Sequence, residues 1–332
     1  MKKVNVYGTL GPACKDAEII KQMLHEGMDG ARLNLSHSTL SQASALIEAF
    51  HKASNACGVH PELLIDLQGP ELRIGVLDVP LILSNGELIE IEKLSFPFAL
   101  QETLKACQPG QEILLDDGKI LLQKTISPAG SSAFLRVIRG GKLESRKSVS
   151  LPSCTIQTPT LTPQDLIHLQ NAKAYGVTAV MQPFVRSRED LIALRKAMKE
   201  ADCGNLRLLA KIENRPGMDR LSDLIPYCDE IVIARGDLRN SMDLWSLPAA
   251  QKQIARVCRE NNRDFMVVTQ MLDSMTHNPV PTRAEVNDIF NAVLDGASSV
   301  MVTGETATGE YPVLVIRYLS KTVREAESFC MN

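Results

Sequence analysis

A chain of 332 residues, 44% hydrophobic and 23% charged, has the make-up of a globular protein with one large core and room for a smaller second one. Its formal net charge of -3 excludes a broad nucleic-acid or anionic-membrane footprint, so any anion-binding site must be a local cluster. Eight cysteines with no CxxC pair argue against a zinc cage or a disulfide framework. With no membrane-length apolar run and no signal-like N-terminus, the expected location is the cytoplasm, with reduced thiols.

Short apolar runs alternate with longer amphipathic stretches. Val4–Leu10, Gly30–Ser36 and Glu62–Leu67 read as the first three strands, with helix starts near Lys15 and Thr39. From 76 to 149 the rhythm changes to short strands with turn punctuation at Asn85-Gly86, Pro109-Gly110, Asp117-Gly118 and Gly140-Gly141, which predicts hairpins. The βα pattern then resumes with Thr178–Phe184, Arg207–Glu213, Glu230–Arg235, Asp264–Gln270 and Ser299–Glu305. Helix starts fall near Pro163, Ser187, Pro216, Leu247, Thr282 and Tyr311; Thr162 before Pro163, and Ser187 three residues before Asp190, are cap signals.

Eight such units imply parallel strands, and closure into a (β/α)8 TIM barrel is the expected architecture. An open doubly wound sheet is the alternative, disfavoured by the lack of a Gly-x-Gly-x-x-Gly turn. The expected domains are a barrel over 1–75 and 150–332 and an inserted small antiparallel β-domain over 76–149. An insertion after the third strand suggests a lid.

Charged residues gather where these strands end. Side chains two apart on a strand share a face, so Arg32, Asn34 and Ser36 point together, as do Lys211 and Glu213. Asp66, Asp237, Thr269 and Glu305 end other strands. Any one of these charges reads equally well as a structural ion pair; charged or polar groups at six strand ends together point to a site. Glu213 and Asp237 are hard oxygen donors suited to Mg2+ or Mn2+, and equally to a general acid/base pair. Lys211, Arg32 and Arg73 favour a metal-bound anion such as a phosphate. Asn34, Ser36 and Asp66 could hold a monovalent cation or form a hydrogen-bond network, and their chemistry alone favours the network. Of six histidines only His37, beside that group, stands out.

The segments Gly8–Ala13, Ala31–His37, Asp66–Arg73, Leu115–Gly118, Ser145–Lys147 with Leu151-Pro152, and Lys211-Ile212-Glu213-Asn214 resemble the pyruvate kinase family, in order. Ala234–Leu238, Thr269–Met275, Asn278–Val286 and Gly304–Ala307 extend the resemblance over essentially the whole chain. It implies phosphoryl transfer from phosphoenolpyruvate to ADP, giving pyruvate and ATP. Lys211 would stabilise the transferring group, Arg32 would hold the substrate phosphate, and Gly236, Asp237 and Thr269 would meet the rest of the substrate. Glu213 and Asp237 would bind Mg2+ (or Mn2+), and Asn34, Ser36, Asp66 and the Leu67 carbonyl would bind K+. Asn34, His37, Arg73 and Lys147 would serve the nucleotide, and Glu71 stands where K+-dependent members carry an acid. A homodimer through the barrel is compatible with the resemblance.

Four departures qualify it. The sequence stops after the eighth helix, so a chain lacking the family's C-terminal effector domain is expected. Leu238-Arg239-Asn240-Ser241 replaces Leu-Gly-Val-Glu, and Pro183 replaces a serine. Ser148, Ser150 and Ser38 replace Gly, Asn and Gly. An enzyme acting on a different phospho- or 2-oxo acid, and an inactive regulatory homologue, are the alternative readings.

Overall fold

The computed structural model describes residues 3–36, 38–116, 118–125, 134–151 and 159–331. In chain order the first strands are β1 (Asn5–Thr9), β2 (Gly30–Asn34) and β3 (Glu62–Asp66). The chain continues through β4 (Leu81–Leu83), β5 (Leu88–Glu90), β6 (Glu112–Leu115), β7 (Ile120–Thr125), β8 (Phe134–Arg139), β9 (Gly141–Leu143) and β10 (Val149–Ser150). It ends with β11 (Ala179–Gln182), β12 (Arg207–Ile212), β13 (Glu230–Ala234), β14 (Asp264–Val268) and β15 (Ser299–Met301).

Eight of these strands close into a parallel barrel in the order β1-β15-β14-β13-β12-β11-β3-β2. All eight lie within the apolar runs marked in the sequence, so periodicity placed the barrel strands correctly. Alternate residues fill the interior: Tyr7, Leu64, Met181, Leu209, Val232, Met266, Val268 and Met301 form one buried cluster. Helices such as Ala17–His25, Ser44–Cys57, Leu247–Glu260 and Pro312–Met331 follow the strands and bury their apolar sides. No helix among the described residues is long and apolar enough to cross a membrane.

At the N-terminal ends of the strands, Arg207 bridges two carboxylates. It donates to both Glu62 oxygens at 2.9 and 3.0 Å and to Glu230 at 2.6 Å. The Tyr7 hydroxyl donates to Glu62, and Ser298 and Ser299 donate to Glu230. This network spans five strands at the end of the barrel where side chains serve stability.

Contacts divide the chain into two compact units, the barrel and a second one comprising 70–159 with 239–243. The expected insertion, 76–149, lies inside the second unit. It holds an antiparallel sheet ordered β10-β6-β7-β8-β5, a β4-β9 pair and the helix Phe98–Ala106. Its core includes Ile91, Leu94, Leu100, Ile113, Leu115 and Leu135.

The turn signals here were only partly read correctly. Asp116 and Gly118, both at positive φ, lie in the connection of a true hairpin, β6–β7; Asp117 lies outside the described residues. Asn85-Gly86 and Gly140-Gly141 do not make hairpins, because β4 pairs with β9 and β5 with β8. At Gly140 a Cβ would sit 2.1 Å from the Leu83 carbonyl, so glycine allows the chain to press against β4 and cross between sheets. Pro109-Gly110 follows a helix instead of joining two strands.

Candidate active site

The C-terminal strand ends carry a buried charge cluster. Register places Asn34 beside Asp66 on β2 and β3, so alternation turns both the same way. One oxygen of Asp66 accepts from Arg32 Nε and Nη2 at 2.9 and 2.6 Å and from Lys211 Nζ at 3.2 Å. Lys211 also lies 2.8 Å from Glu213 Oε1. Burial alone would raise the Asp66 pKa, but Lys211 and Arg32 overcome it and hold the carboxyl below the usual aspartate value. Burial would lower Lys211, yet Asp66 and Glu213 keep its ammonium above the ordinary lysine value. Glu213 is pushed up to about 7 by burial, with Asp237 and Asp66 adding to the shift and Lys211 opposing it.

Two oxygens in this cluster are buried without a hydrogen-bond donor, Asp66 Oδ1 and Glu213 Oε1. Glu213 Oε1 is close to the ammonium but lacks a well-directed bond from it. Unsatisfied buried carboxylate oxygens are costly, and hard cations satisfy them. The donor set therefore fits a cation. Asn34 Oδ1 accepts from the Ser36 backbone N–H at 3.1 Å. Leu67 is fully buried and its N–H donates to the Met181 carbonyl.

Backbone strain marks the same ends. Phe184 (φ 52°), Thr269 (φ 80°) and Gln270 (φ 55°) occupy the left-handed region, which β-branched residues rarely enter. The Phe184 conformation has a visible use: its N–H donates to Glu213 Oε2 at 2.7 Å. Gly236, in the turn Arg235–Leu238 with Asp237, faces Thr269 so closely that a Cβ would lie 2.9 Å from Thr269 Cγ2. Pro183 lies against Gly69, where a Cβ would meet its ring at 2.5 Å.

The other marked residues fall elsewhere. Arg73 and Lys147 belong to the second unit, where Arg73 pairs with Glu71 at 2.8 Å and Lys147 with Asp116 at 2.9 Å. His37 lies outside the described residues. Glu305 is a buried structural acceptor, taking the N–H groups of Leu272 and Thr303.

Sequence reasoning missed three supporting groups. Asp165 is fully buried and accepts from the backbone N–H groups of Gln68 and Gly69, fixing the turn after β3, and from Thr162. Its capping-box position three residues after Thr162 was the available signal, and it shows only the helix half of the role. Arg235 donates to the Thr269 carbonyl and pairs with Asp288; nothing in their spacing reveals it.

A closed parallel barrel with a buried lysine–carboxylate cluster at its C-terminal strand ends has the form of a (β/α)8 enzyme domain. The family profile described as "Pyruvate kinase, barrel domain" matches residues 1–316, and the chain belongs to the pyruvate kinase family. A pyruvate kinase of Corynebacterium glutamicum is 36% identical over 337 residues, covering 98% of this chain and 70% of the relative. One from Staphylococcus saprophyticus is 33% identical, covering 99% of this chain and 58% of the relative. One from Aeropyrum pernix is 35% identical, covering 96% of this chain and 69% of the relative. The chain thus spans between 58% and 70% of the length of these relatives.

Proposed function

We propose that this chain transfers the phosphoryl group of phosphoenolpyruvate to ADP, giving pyruvate and ATP. The observation that carries the reading is the buried Lys211 ammonium between Asp66 and Glu213, beside the unpartnered Asp66 Oδ1. Glu213 and Asp237 would hold Mg2+ or Mn2+, and Asn34, Ser36, Asp66 and the Leu67 carbonyl would hold K+. When bound, the divalent ion supplies positive charge at the phosphoryl and enolate oxygens.

The protein's own groups do the positioning. Arg32 and Lys211 face the transferring group as fixed donors, and the raised pKa keeps Lys211 protonated at neutral pH. Gly236 and Thr269 take the carboxylate end, and Asn34, His37, Arg73 and Lys147 take the nucleotide. Transfer breaks the bond from phosphorus to the enol oxygen and forms one to a terminal oxygen of the nucleotide. The electron pair stays on the enolate, and protonation at its methylene carbon completes pyruvate. Cytoplasmic location and a barrel-mediated homodimer belong to the same proposal.

A coupled assay with phosphoenolpyruvate, ADP, Mg2+ and K+ tests it. Pyruvate should form, and Lys211→Met should lower kcat by about 1,000-fold through loss of a preorganised charge. No pyruvate at high enzyme concentration would overturn the reading. Turnover of another phospho- or 2-oxo acid instead would favour an altered substrate, for which Pro183 against Gly69 is the structural motive.

A further inference from the structure

We propose that Arg235 is a positioning residue: its guanidinium, aimed by Asp288, holds Thr269 in the left-handed backbone conformation. The inference rests on the reading of Thr269 as a residue that meets the substrate carboxylate.

Ala234 on β13 is the register partner of Val268 on β14, so Arg235 and Thr269 are the next residues of adjacent strand ends. Ala234 and Val268 fill the barrel interior, whereas Arg235 opens the turn Arg235–Leu238 and sends its side chain outward to Gln251 and Asp288. There its side chain is only 12% exposed. Nη2 and Nε donate to the Thr269 carbonyl at 2.7 and 3.2 Å. Nη1 donates to both Asp288 oxygens at 2.9 and 2.7 Å and approaches Gln251 Oε1 at 3.4 Å. Nη2 also lies 3.0 Å from Met271 Sδ. Asp288 belongs to the helix Arg283–Leu294 and Gln251 to Leu247–Glu260, so one planar group ties Thr269 to two outer helices.

Thr269 needs such a hold. A β-branched residue at φ 80° persists only where its surroundings over-determine it. Two donors on its carbonyl supply that constraint, and the lack of a side chain at Gly236 leaves Thr269 the room to adopt it. Lysine could not replace the arginine, because a single ammonium lacks the fork that grips carbonyl and carboxylate together.

A cavity of about 410 Å³ opens onto Arg235 between the two helices, with Gln251, Lys252, Gln270 and Asp288 in its lining. It offers a small cation a way in, which makes chemical rescue a direct test. Steady-state kinetics would compare the wild-type chain with Arg235→Ala, Arg235→Lys and Asp288→Asn. Arg235→Ala should lower kcat/KM for phosphoenolpyruvate by about 100-fold, as small misplacements of reacting groups do. The phosphoenolpyruvate KM should rise while the ADP KM stays unchanged. Added guanidinium ion should restore part of the loss in Arg235→Ala and none in Arg235→Lys; Asp288→Asn should show the same KM pattern more weakly.

An unchanged phosphoenolpyruvate KM, an equal rise in both KM values, or no rescue of a folded Arg235→Ala protein would overturn the proposal. If the wild-type chain makes no pyruvate, the functional reading fails by itself. The backbone lock is then decided by a crystal structure of Arg235→Ala, or of Asp288→Asn should the first not fold. Thr269 released to negative φ supports it, and Thr269 retained near its present φ overturns it.

Discussion

Asp190 sits three residues after Ser187, where a barrel strand turns into the helix Arg188–Glu200. It accepts from Thr160 Oγ1 at 2.6 Å, and from Arg186 Nη2 and the Arg186 backbone N–H at 2.9 Å each. Burial would raise its pKa, but these donors prevail and hold it below the usual aspartate value. A carboxyl lowered in the folded state stabilises fully above its unfolded pKa, about 3.9, and loses that contribution as pH falls through the lower folded value. Asp190→Asn should therefore cost about 2 kcal/mol at pH 7 by loss of charge-assisted bonds. The gap to wild type should close under acid conditions, as urea-unfolding midpoints at several pH values would show. The Ser187–Asp190 spacing was legible in the sequence, as was the shared face of Lys211 and Glu213. The Asp165 hold on Gly69 and the Arg235–Asp288 pair were not, because each joins residues 96 and 53 positions apart.

Strands and helices of the barrel were readable because each must present an apolar side every second or every third to fourth residue to a common core. The second unit was less readable, since its short strands pair across sheets by choices that local turn residues do not encode. The helix Phe98–Ala106 went unmarked there; it follows Pro97 without a side-chain cap, so the usual start signal is missing. A network at the other end of the barrel was also invisible from spacing alone. Glu62, Arg207 and Glu230 each begin a strand, and they meet only once the barrel closes. Burial raises the Glu230 pKa, with Ser299 and Arg207 opposing it, so Arg207 matters mainly as the partner of a buried acid. Arg207→Met should destabilise the chain by about 3 kcal/mol, the low end for stranding one member of a buried pair, because Arg207 itself is partly exposed. Arg207→Met combined with Glu230→Gln should recover part of that loss, and a thermal-unfolding series of single and double variants would measure it. Equal losses in the single and double variants would show that the carboxylate is not the source.

At the scale of the whole chain, the second unit interrupts the barrel where the barrel is best prepared to do without it. Gly69 ends the first stretch of the barrel unit, and Thr160 begins its next. The Gly69 N–H and the Thr162 N–H both donate to Asp165 Oδ2, at 3.1 and 2.8 Å, so the chain leaves and re-enters the barrel at one buried oxygen. Thr160 is tied down independently: its hydroxyl donates to Asp190 and its carbonyl accepts from Gln182. None of these bonds requires a residue between 70 and 159. Insertions are tolerated where the flanking ends lie close together and are fixed by their own domain. Replacing 70–159 by a short Gly/Ser linker should therefore leave a barrel with its helical circular dichroism and a cooperative melt. Asp165→Asn in that shortened chain should lower the melting temperature more than in the full chain, because the engineered loop then has no other anchor at Gly69. An expanded, non-cooperative product from the shortened chain would show that the barrel depends on the insertion for its stability.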